Sequence, residues 1–234
     1  QFIPGVKAAK FADLVMAPIN GLNEAIDIAI FVLLIGGFLG VTTKTGALDA
    51  GIGSIVEKLQ GKELVLIPVL MFIFSLGGTS FGMAEETIAF TALVTTTMIV
   101  AGFDPLVSVG TIILGAGSGV LGSTVNPFLV STSIGALKGV GIEVNQVIVI
   151  ATGIALWLSS LLISIYFVMK YAKSLQKDKK ATLLSQKEIN EAHEAFLGNK
   201  NSEEVVEFTT KRRIVLGLFA LTFVVMVAAV IRLE

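Results

Sequence analysis

Two apolar segments are separated by the polar stretch Gly77-Gly78-Thr79-Ser80-Phe81-Gly82-Met83-Ala84-Glu85-Glu86. The segment before it, Leu64–Leu76, would be only about 20 Å long as a helix, and the segment after it, Thr87–Ala101, only about 22 Å. A helix that crosses the roughly 30 Å hydrocarbon core of a bilayer needs about 20 residues. Two half-length helices joined by a polar, glycine-rich tip therefore predict a re-entrant helical hairpin over residues 64–101.

A second interruption follows directly along the chain. Pro105–Leu114 and Phe128–Leu137 are mainly apolar, and the residues between them are rich in glycine, hydroxyl and amide side chains. Pro127 lacks a backbone donor, and glycines weaken a helix. We therefore expect one broken transmembrane helix over residues 105–138. Non-helical backbone at membrane depth is tolerated only inside protein or beside a water-filled cavity.

The composition places these segments in an integral membrane protein. Of the 234 residues, 54% are hydrophobic and 15% are charged, whereas soluble domains average about 25% charged residues. The net charge of −1 gives no sign of a polyanionic partner, so we expect no nucleic acid. Because the chain has no Cys and a single His, disulfides, thiolate metal sites and most catalytic triads are excluded. The sequence predicts an all-α polytopic helical bundle that is embedded in the lipid bilayer.

The rest of the chain divides into helices and one charged loop. Ala25–Val41 is almost wholly apolar, and Gly36, Gly37 and Gly40 would let a neighbouring helix pack closely against it. Apolar residues at helical spacing in Thr42–Gln60 predict an interfacial amphipathic helix. The predicted units are residues 1–63 (first transmembrane helix and interfacial helix), 64–143 (transport element with hairpin and broken helix), 144–170 (transmembrane helix), 171–212 (charged linker) and 213–234 (last transmembrane helix, at the start of a second half).

The distribution of basic residues orients the bundle. Residues 42–62 and 170–213 carry 13 Lys and Arg residues, whereas the segments expected on the opposite side carry 4. By the positive-inside rule the first group faces the cytoplasm, so we expect a multi-pass protein of the cell inner membrane with loop 170–213 cytoplasmic. The chain begins without an initiator Met, and its last apolar segment reaches the end of the sequence. We expect it to be part of a longer polytopic protein.

The two interruptions hold the candidate binding groups. Ser, Thr and Asn oxygens beside carbonyl groups freed from helical bonds suit Na⁺ or a polar solute, and free backbone N–H groups suit a carboxylate. Glu85 and Glu86 are candidates for a substrate counter-ion or a proton carrier, although at least one of them is expected to cap the following helix. The candidate substrate- and ion-binding residues are Gly77, Gly78, Thr79, Ser80, Gly82, Glu85, Glu86, Ser118, Ser123, Thr124 and Asn126.

Simpler structural roles compete with these assignments. The glycines would also serve plain helix packing, and Ser123–Pro127 would also fit a proline kink whose backbone is repaired by hydroxyl groups. Asp104-Pro105 is interpreted as the N-cap and first residue of a helix, which is a structural role. Leu175–Thr210 is expected to be a solvated, partly helical linker between the halves of the bundle.

A coupling ion is expected at the interruptions, and no cofactor. Na⁺ would suit the oxygens of Thr79, Ser80, Ser123, Thr124 and Asn126, whereas H⁺ would suit a carboxylate within the membrane. Neither ion is favoured by the sequence. Two adjacent glutamates without His or Cys are a poor catalytic set, so the sequence indicates no enzyme and no catalytic residues.

The motifs resemble those of the YfcC-type carriers, a branch of the four-carbon-dicarboxylate anaerobic-carrier-like group in the ion transporter superfamily. The resemblance is carried by the stretch from Gly77 to Thr87, by Leu114-Gly115-Ala116-Gly117 with Asn126-Pro127-Phe128, and by residues 47–53. It implies an inverted-repeat secondary transporter, a homodimer and elevator-like movement of the transport element. It also implies that Thr79, Ser80, Glu85 and Glu86 lie at the hairpin tip, and that Ser123, Thr124 and Asn126 lie at the helix break. Only one of the two repeats is present in this chain.

The substrate class is open between two alternatives that the resemblance implies, a basic amino acid exchanged in arginine–ornithine fashion and a C4-dicarboxylate. A dicarboxylate would favour Arg or several donors, whereas a cationic amino acid would favour Glu. The hairpin and broken helix contain two carboxylates and no basic residue, so a basic amino acid antiporter is preferred. An ion channel and a non-transporting membrane subunit are the alternatives from other functional classes.

Overall fold

The computed structural model describes residues 11–126, 129–130, 132–198 and 207–232, and these residues form a helical bundle. The all-α class predicted from the sequence is confirmed. The helices are α1 (Phe11–Lys44), α2 (Ala47–Lys58), α3 (Glu63–Phe81), a 3-10 helix (Glu85–Phe90), α4 (Thr91–Val100), α5 (Pro105–Leu121), α6 (Thr132–Gly139), α7 (Gln146–Lys177), α8 (Gln186–His193) and α9 (Thr210–Arg232), with short turns at Lys179–Ala181 and Glu194–Gly198.

α3 is longer than the first arm of the predicted hairpin. It continues through Gly77 and Gly78 and ends at Phe81, where Gly82 takes a φ of 81° in the left-handed region that favours glycine. Its 19 residues correspond to about 28 Å of helix. Among the described residues, α3 and α7 are the helices that are long and apolar enough to cross a bilayer. The predicted arm over Leu64–Leu76 is therefore too short, whereas its re-entrance stays a prediction.

The return from this tip is built in two steps. The 3-10 helix follows three residues after α3 and leads directly into α4. Phe90, at the junction, packs on Phe74 of α3 with ring centroids 5.6 Å apart. Further along, the hydroxyl groups of Thr95 in α4 and Ser108 in α5 lie 2.7 Å apart in a buried contact. α4 therefore runs back alongside α5, and the non-helical part of the predicted tip shrinks to residues 82–84.

α5 begins as the sequence predicts. The Asp104 carboxylate accepts a hydrogen bond from the backbone N–H of Val107 at 3.3 Å, and Pro105 occupies the first turn. A proline at this position loses no helical hydrogen bond, and its ring fixes a backbone angle that suits a helix. The structural interpretation of Asp104-Pro105 is confirmed.

The break after α5 starts later than predicted. The helix runs unbroken through Gly115 to Leu121, and the irregular backbone begins at Gly122. The predicted start is too early because Gly115 and Gly119 pack against α3 inside an intact helix instead of ending it. α6 begins at Thr132, whereas Pro127 and Phe128 lie outside the described residues.

α3 and α5 run parallel in close contact, and glycines make this contact possible. A Cβ atom built at Gly115 would lie 2.9 Å from the Cα atom of Met71. One turn further along, a Cβ atom at Gly119 would collide with the Ser75 carbonyl oxygen. Small residues four positions apart allow helices in membranes to approach in this way. The contacts advance in the same direction along both helices, so α3 and α5 end at the same level.

α7 runs antiparallel to α5 and covers another of its sides. The hydroxyl groups of Ser118 and Ser164 lie 3.1 Å apart across this contact. Near the end of α5, a Cβ atom at Gly122 would collide with the backbone of Trp157. α7 thus fixes both α5 and the first residue of its break.

α1 and α2 differ from the prediction in opposite ways. α1 has 34 residues and extends well beyond the predicted segment 25–41 at its start. Among the described residues, a Cβ atom at Gly36, Gly37 or Gly40 would meet no atom within 4 Å, so the expected close packing at these glycines stays a prediction. α2 packs against α9 and is amphipathic, as predicted for this segment. Its buried residues are Ala47, Ala50, Gly51, Ile52, Gly53 and Val56.

The charged segment after α7 folds back onto the bundle. Asp104 accepts hydrogen bonds from the hydroxyl groups of Tyr171 and Thr182, the latter at 2.7 Å. The backbone N–H of Leu183 donates to the Tyr171 hydroxyl oxygen at 3.1 Å. The expectation of a solvated linker is therefore corrected for the part next to α7, which is fastened to the start of α5.

The α3–α5 contact gives a direct stability test. Gly119→Ala is expected to lower the free energy of unfolding by about 1–3 kcal/mol, because the new methyl group must push α3 away. Gly117→Ala is the matched control, since a Cβ atom there meets no atom within 4 Å, and helix propensity alone would raise stability by up to about 1 kcal/mol. Thermal unfolding of the detergent-solubilised protein measures both. Equal midpoints for the two variants would contradict the close approach.

The docked linker gives a second test. Tyr171→Phe removes the hydroxyl group that bonds both Asp104 and Leu183, so the segment after α7 should open more often. We expect trypsin to cleave at Lys179 and Lys180 several-fold faster than in the wild type. Tyr166→Phe, at an exposed position of the same helix, is the control. An unchanged cleavage rate in Tyr171→Phe would show that this bond does not hold the segment.

Candidate functional site

The two helix breaks meet and are bonded to each other. The Thr79 hydroxyl group, near the end of α3, donates to the Gly122 carbonyl oxygen at 2.9 Å. In return, the backbone N–H of Thr124 donates to the Thr79 carbonyl oxygen at 3.1 Å. The hydroxyl oxygens of Thr79 and Thr124 are 3.2 Å apart. Two carbonyl groups that the breaks release from helical bonding are therefore satisfied by the opposite break.

A second polar cluster lies beside this link. The Asn126 side chain is almost fully buried, with 1% of its surface exposed, and its amide group donates to the Ser123 hydroxyl oxygen at 3.1 Å. The Ser123 hydroxyl group itself donates to the Val120 carbonyl oxygen at 2.6 Å. Gly82, at the end of α3, faces the Asn126 side chain, and a Cβ atom built there would lie only 2.8 Å from the Asn126 amide nitrogen. Glycine at 82 thus serves both the left-handed backbone and the close approach of Asn126.

A cavity of about 870 Å³ opens at these breaks, between them and α1. The Asn126 amide group, the Glu86 carboxylate and the Lys44 ammonium group line this cavity together with glycines of α1. Its lining residues are Gly36, Gly40, Thr43, Lys44, Phe81, Gly82, Ala84, Glu86, Val120, Asn126 and Leu129. On the α1 side, Gly36 and Gly40 face the open volume of the cavity.

Both predicted glutamates lie at the start of the 3-10 helix. The Glu86 carboxylate accepts a hydrogen bond from the backbone N–H of Ala84 at 3.3 Å and lines the cavity with an exposed side chain. Glu86 therefore bonds to the residue that precedes the 3-10 helix, which has no side-chain cap of its own, and the same side chain faces the cavity. The side chain of Glu85 lies outside the described residues.

The remaining candidates are distributed over other surfaces. Thr79, Ser80 and Thr124 line a second cavity of about 710 Å³ whose walls are mainly apolar side chains of α2, α3, α7 and α9. The Ser80 hydroxyl group donates to the Leu76 carbonyl oxygen of its own helix at 2.6 Å. Gly78 lies in the α3–α5 contact, where a Cβ atom would collide with the Ala116 carbonyl oxygen. The structure does not bring these residues together with Glu86.

Two further candidates have packing roles. Gly77 lies against the Met83 side chain, with 2.6 Å between a Cβ atom built at Gly77 and the Met83 sulfur. The Ser118 hydroxyl group donates to the Leu114 carbonyl oxygen at 2.6 Å and contacts α7. Ser118 is therefore part of the α5–α7 contact rather than of the cavity at the breaks.

Sequence reasoning missed Lys44 as a member of the site. It lies at the end of α1, 42 residues before Glu86 in the chain, yet both side chains line the same cavity. Nothing in the local sequence around Lys44 marks it, because its role depends on how α1 packs beside the breaks. The only available signal was its place directly after a long apolar segment.

The predicted oxygen donors do not form a single cluster. Thr79 and Thr124 make one pair, Ser123 and Asn126 make another, and Ser80 bonds within its own helix. In the part of the chain that the structure describes, no group of three His, Asp or Glu side chains is close enough to hold a metal ion. A Na⁺ site at these residues stays a prediction.

Comparison with known proteins gives one family. Residues 5–233 match the sequence profile of a family described as C4-dicarboxylate anaerobic carrier, DcuC. The chain is 32% identical over 203 residues to the "Putative basic amino acid antiporter YfcC" of Escherichia coli K12, covering 82% of this chain and 37% of that protein. It is 29% identical over 216 residues to an uncharacterized protein of Haemophilus influenzae, covering 92% of this chain and 41% of that protein. The chain thus spans about two fifths of the length of these relatives. No solved structure matches it.

The bond between the breaks is testable by a nearly isosteric change. Thr79→Val should lower the free energy of unfolding by about 1–3 kcal/mol, because it leaves the buried Gly122 carbonyl group without its donor. Ser80→Ala is the control, since it removes a hydroxyl group that bonds only within α3, and it should change stability far less. Thermal unfolding in detergent measures both. A loss in Ser80→Ala as large as that in Thr79→Val would argue against a link between the breaks.

Proposed function

The chain belongs to the C4-dicarboxylate anaerobic carrier family, and from this premise we propose that it works in a secondary active transporter for a small charged organic solute. The family and the named relative are a carrier and an antiporter rather than enzymes. The observation that carries the proposal is the pair of helix breaks at one level, with an open cavity beside them that is lined by Glu86, Lys44 and Asn126. Broken helices beside a cavity are a common architecture of transporter binding sites.

The depth of the breaks supports this site. α7 contains an uncharged run from Val147 to Met169, about 34 Å of helix, whose midpoint lies next to Trp157. Gly122, the first residue of the α5 break, packs directly on the backbone of Trp157. If the uncharged run fills the hydrocarbon core, the breaks lie near the middle of the bilayer. This supports a re-entrant hairpin over residues 64–101 and a broken helix over 105–138.

Transport would then proceed by movement of the bonded helices. The hydrogen bonds between Thr79, Gly122 and Thr124 hold α3 and α5 together at their ends. Such a unit suits elevator-like alternating access, in which binding site and solute cross as one body. The proposal includes an inverted second repeat that completes the site, a homodimer in the cell inner membrane, and a cytoplasmic segment 170–213.

The substrate proposal rests on two charges in one cavity. Glu86 suits an ammonium or guanidinium group, and Lys44 suits a carboxylate. A basic amino acid carries both kinds of group, which favours arginine–ornithine-type antiport, in keeping with the description of the Escherichia coli relative. Lys44 also removes the argument that the site lacks a basic residue, so a C4-dicarboxylate, the substrate in the family description, is an equal second candidate.

Counterflow into proteoliposomes distinguishes these candidates. The protein at its native length is reconstituted into proteoliposomes. The vesicles are loaded with unlabelled solute, and the entry of labelled arginine or labelled succinate is measured. If arginine is the substrate, Glu86→Gln should reduce arginine entry at least tenfold, because the cationic group loses its charged partner. If succinate is the substrate, Lys44→Gln should have the larger effect. A dependence on a Na⁺ or a pH gradient identifies the coupling ion.

Charge changes outside the cavity control for general effects. Glu57→Gln and Lys62→Gln alter exposed residues that line neither cavity at the breaks, and they should leave the entry rates unchanged. A non-saturating current would indicate a channel instead. The absence of counterflow for either solute would favour a non-transporting membrane subunit.

A further inference from the structure

Three lysines form a groove at the charged end of α7. Lys170, Lys173 and Lys177 follow each other at spacings of three and four residues, so they share one face of the helix. Together with Tyr166 and Ser174 they line a groove of about 420 Å³. The Lys170 ammonium group lies 5.9 Å from the centre of the Tyr166 ring. The groove is therefore a concentration of positive charge with one aromatic wall.

The groove faces away from the helical bundle. The buried residues of α7 in this region are Leu161, Val168, Ala172 and Leu175, which lie on the opposite side of the helix. The side chains of all three lysines are exposed. Nothing in the described part of the chain covers this face.

The same face becomes apolar further along the helix. Leu162 and Ile163 are exposed by 66% and 57%, and they precede Tyr166 by one turn on the lysine side of α7. Large exposed apolar residues on a helix of this hydropathy suit acyl chains. Along this face of α7, exposed apolar side chains are therefore followed by a tyrosine and then by three ammonium groups.

The charges in the groove are not neutralised by the described protein. Its lining residues include no carboxylate, and the ion pair found among the described residues joins Lys187 to Glu191 on α8 instead. Like charges at these spacings repel each other. An anionic group in the groove would relieve this repulsion and bind to several donors at once.

We propose that this groove binds the phosphate-bearing headgroup of an anionic phospholipid, with the acyl chains lying along Leu162 and Ile163. Basic residues directly beyond the apolar part of a transmembrane helix attract anionic lipids. The tyrosine is placed at the boundary between the two regions, where aromatic rings are favoured. The proposal does not depend on the transported solute.

Lipid binding to the purified, detergent-solubilised protein tests the proposal. Fluorescent phosphatidylglycerol is titrated into the wild type and into the triple variant Lys170→Gln, Lys173→Gln, Lys177→Gln. We expect affinity for phosphatidylglycerol at least tenfold above that for phosphatidylcholine, decreasing as NaCl is raised. The triple variant should lose at least tenfold in phosphatidylglycerol affinity.

Two matched variants separate the groove from net charge and from misfolding. The triple change Lys62→Gln, Lys138→Gln, Lys187→Gln removes the same charge elsewhere and should bind as the wild type does. Replacement of the three groove lysines by Arg keeps the charge and should keep the affinity, even if the Gln variant proves unstable. Equal losses in both Gln variants, equal affinity for phosphatidylcholine, or full displacement of the lipid by millimolar inorganic phosphate would each overturn the proposal.

Discussion

The architecture depends on the close parallel contact between α3 and α5. Gly78, Gly115 and Gly119 allow the two backbones to touch, and a single methyl group at Gly119 would strike the carbonyl oxygen of Ser75. Because the helices are parallel and in register, they stop at one level and their loose ends can bond to each other. The cavity beside the breaks follows from this coincidence, since two helices that ended at different depths would leave no common opening.

The existence of the two breaks and the start of α5 could be predicted from the sequence, because both depend on local chemistry. Gly82 ends α3 through its own backbone conformation, and Asp104 caps α5 through its own carboxylate. The limits of the breaks were predicted less well. Gly77 and Gly115 are the same residue type as Gly82 and Gly122, yet they lie within intact helices. A packing glycine differs from a terminating one by the helix that lies against it. The local sequence does not show which helix that is.

The contributions of distant residues could not be predicted at all. Lys44 reaches the cavity because α1 passes beside the breaks, and Thr182 reaches Asp104 because the segment after α7 turns back. Gly36 and Gly40 show the same limit in reverse, since a motif that often marks tight packing faces open volume here. Such contacts depend on the arrangement of whole helices rather than on spacing within one of them.

The parallel direction of α3 and α5 has an electrostatic consequence. Each α-helix carries a macrodipole that places about half an elementary negative charge at its C-terminal end. Because Phe81 and Leu121 both end their helices at the same opening, the two helix ends together contribute on the order of one negative charge there. These two ends favour a cation before any side chain is considered, and they do so at every pH, whereas the 3-10 helix that begins at Glu85 presents its positive end to the same tip and offsets part of this field.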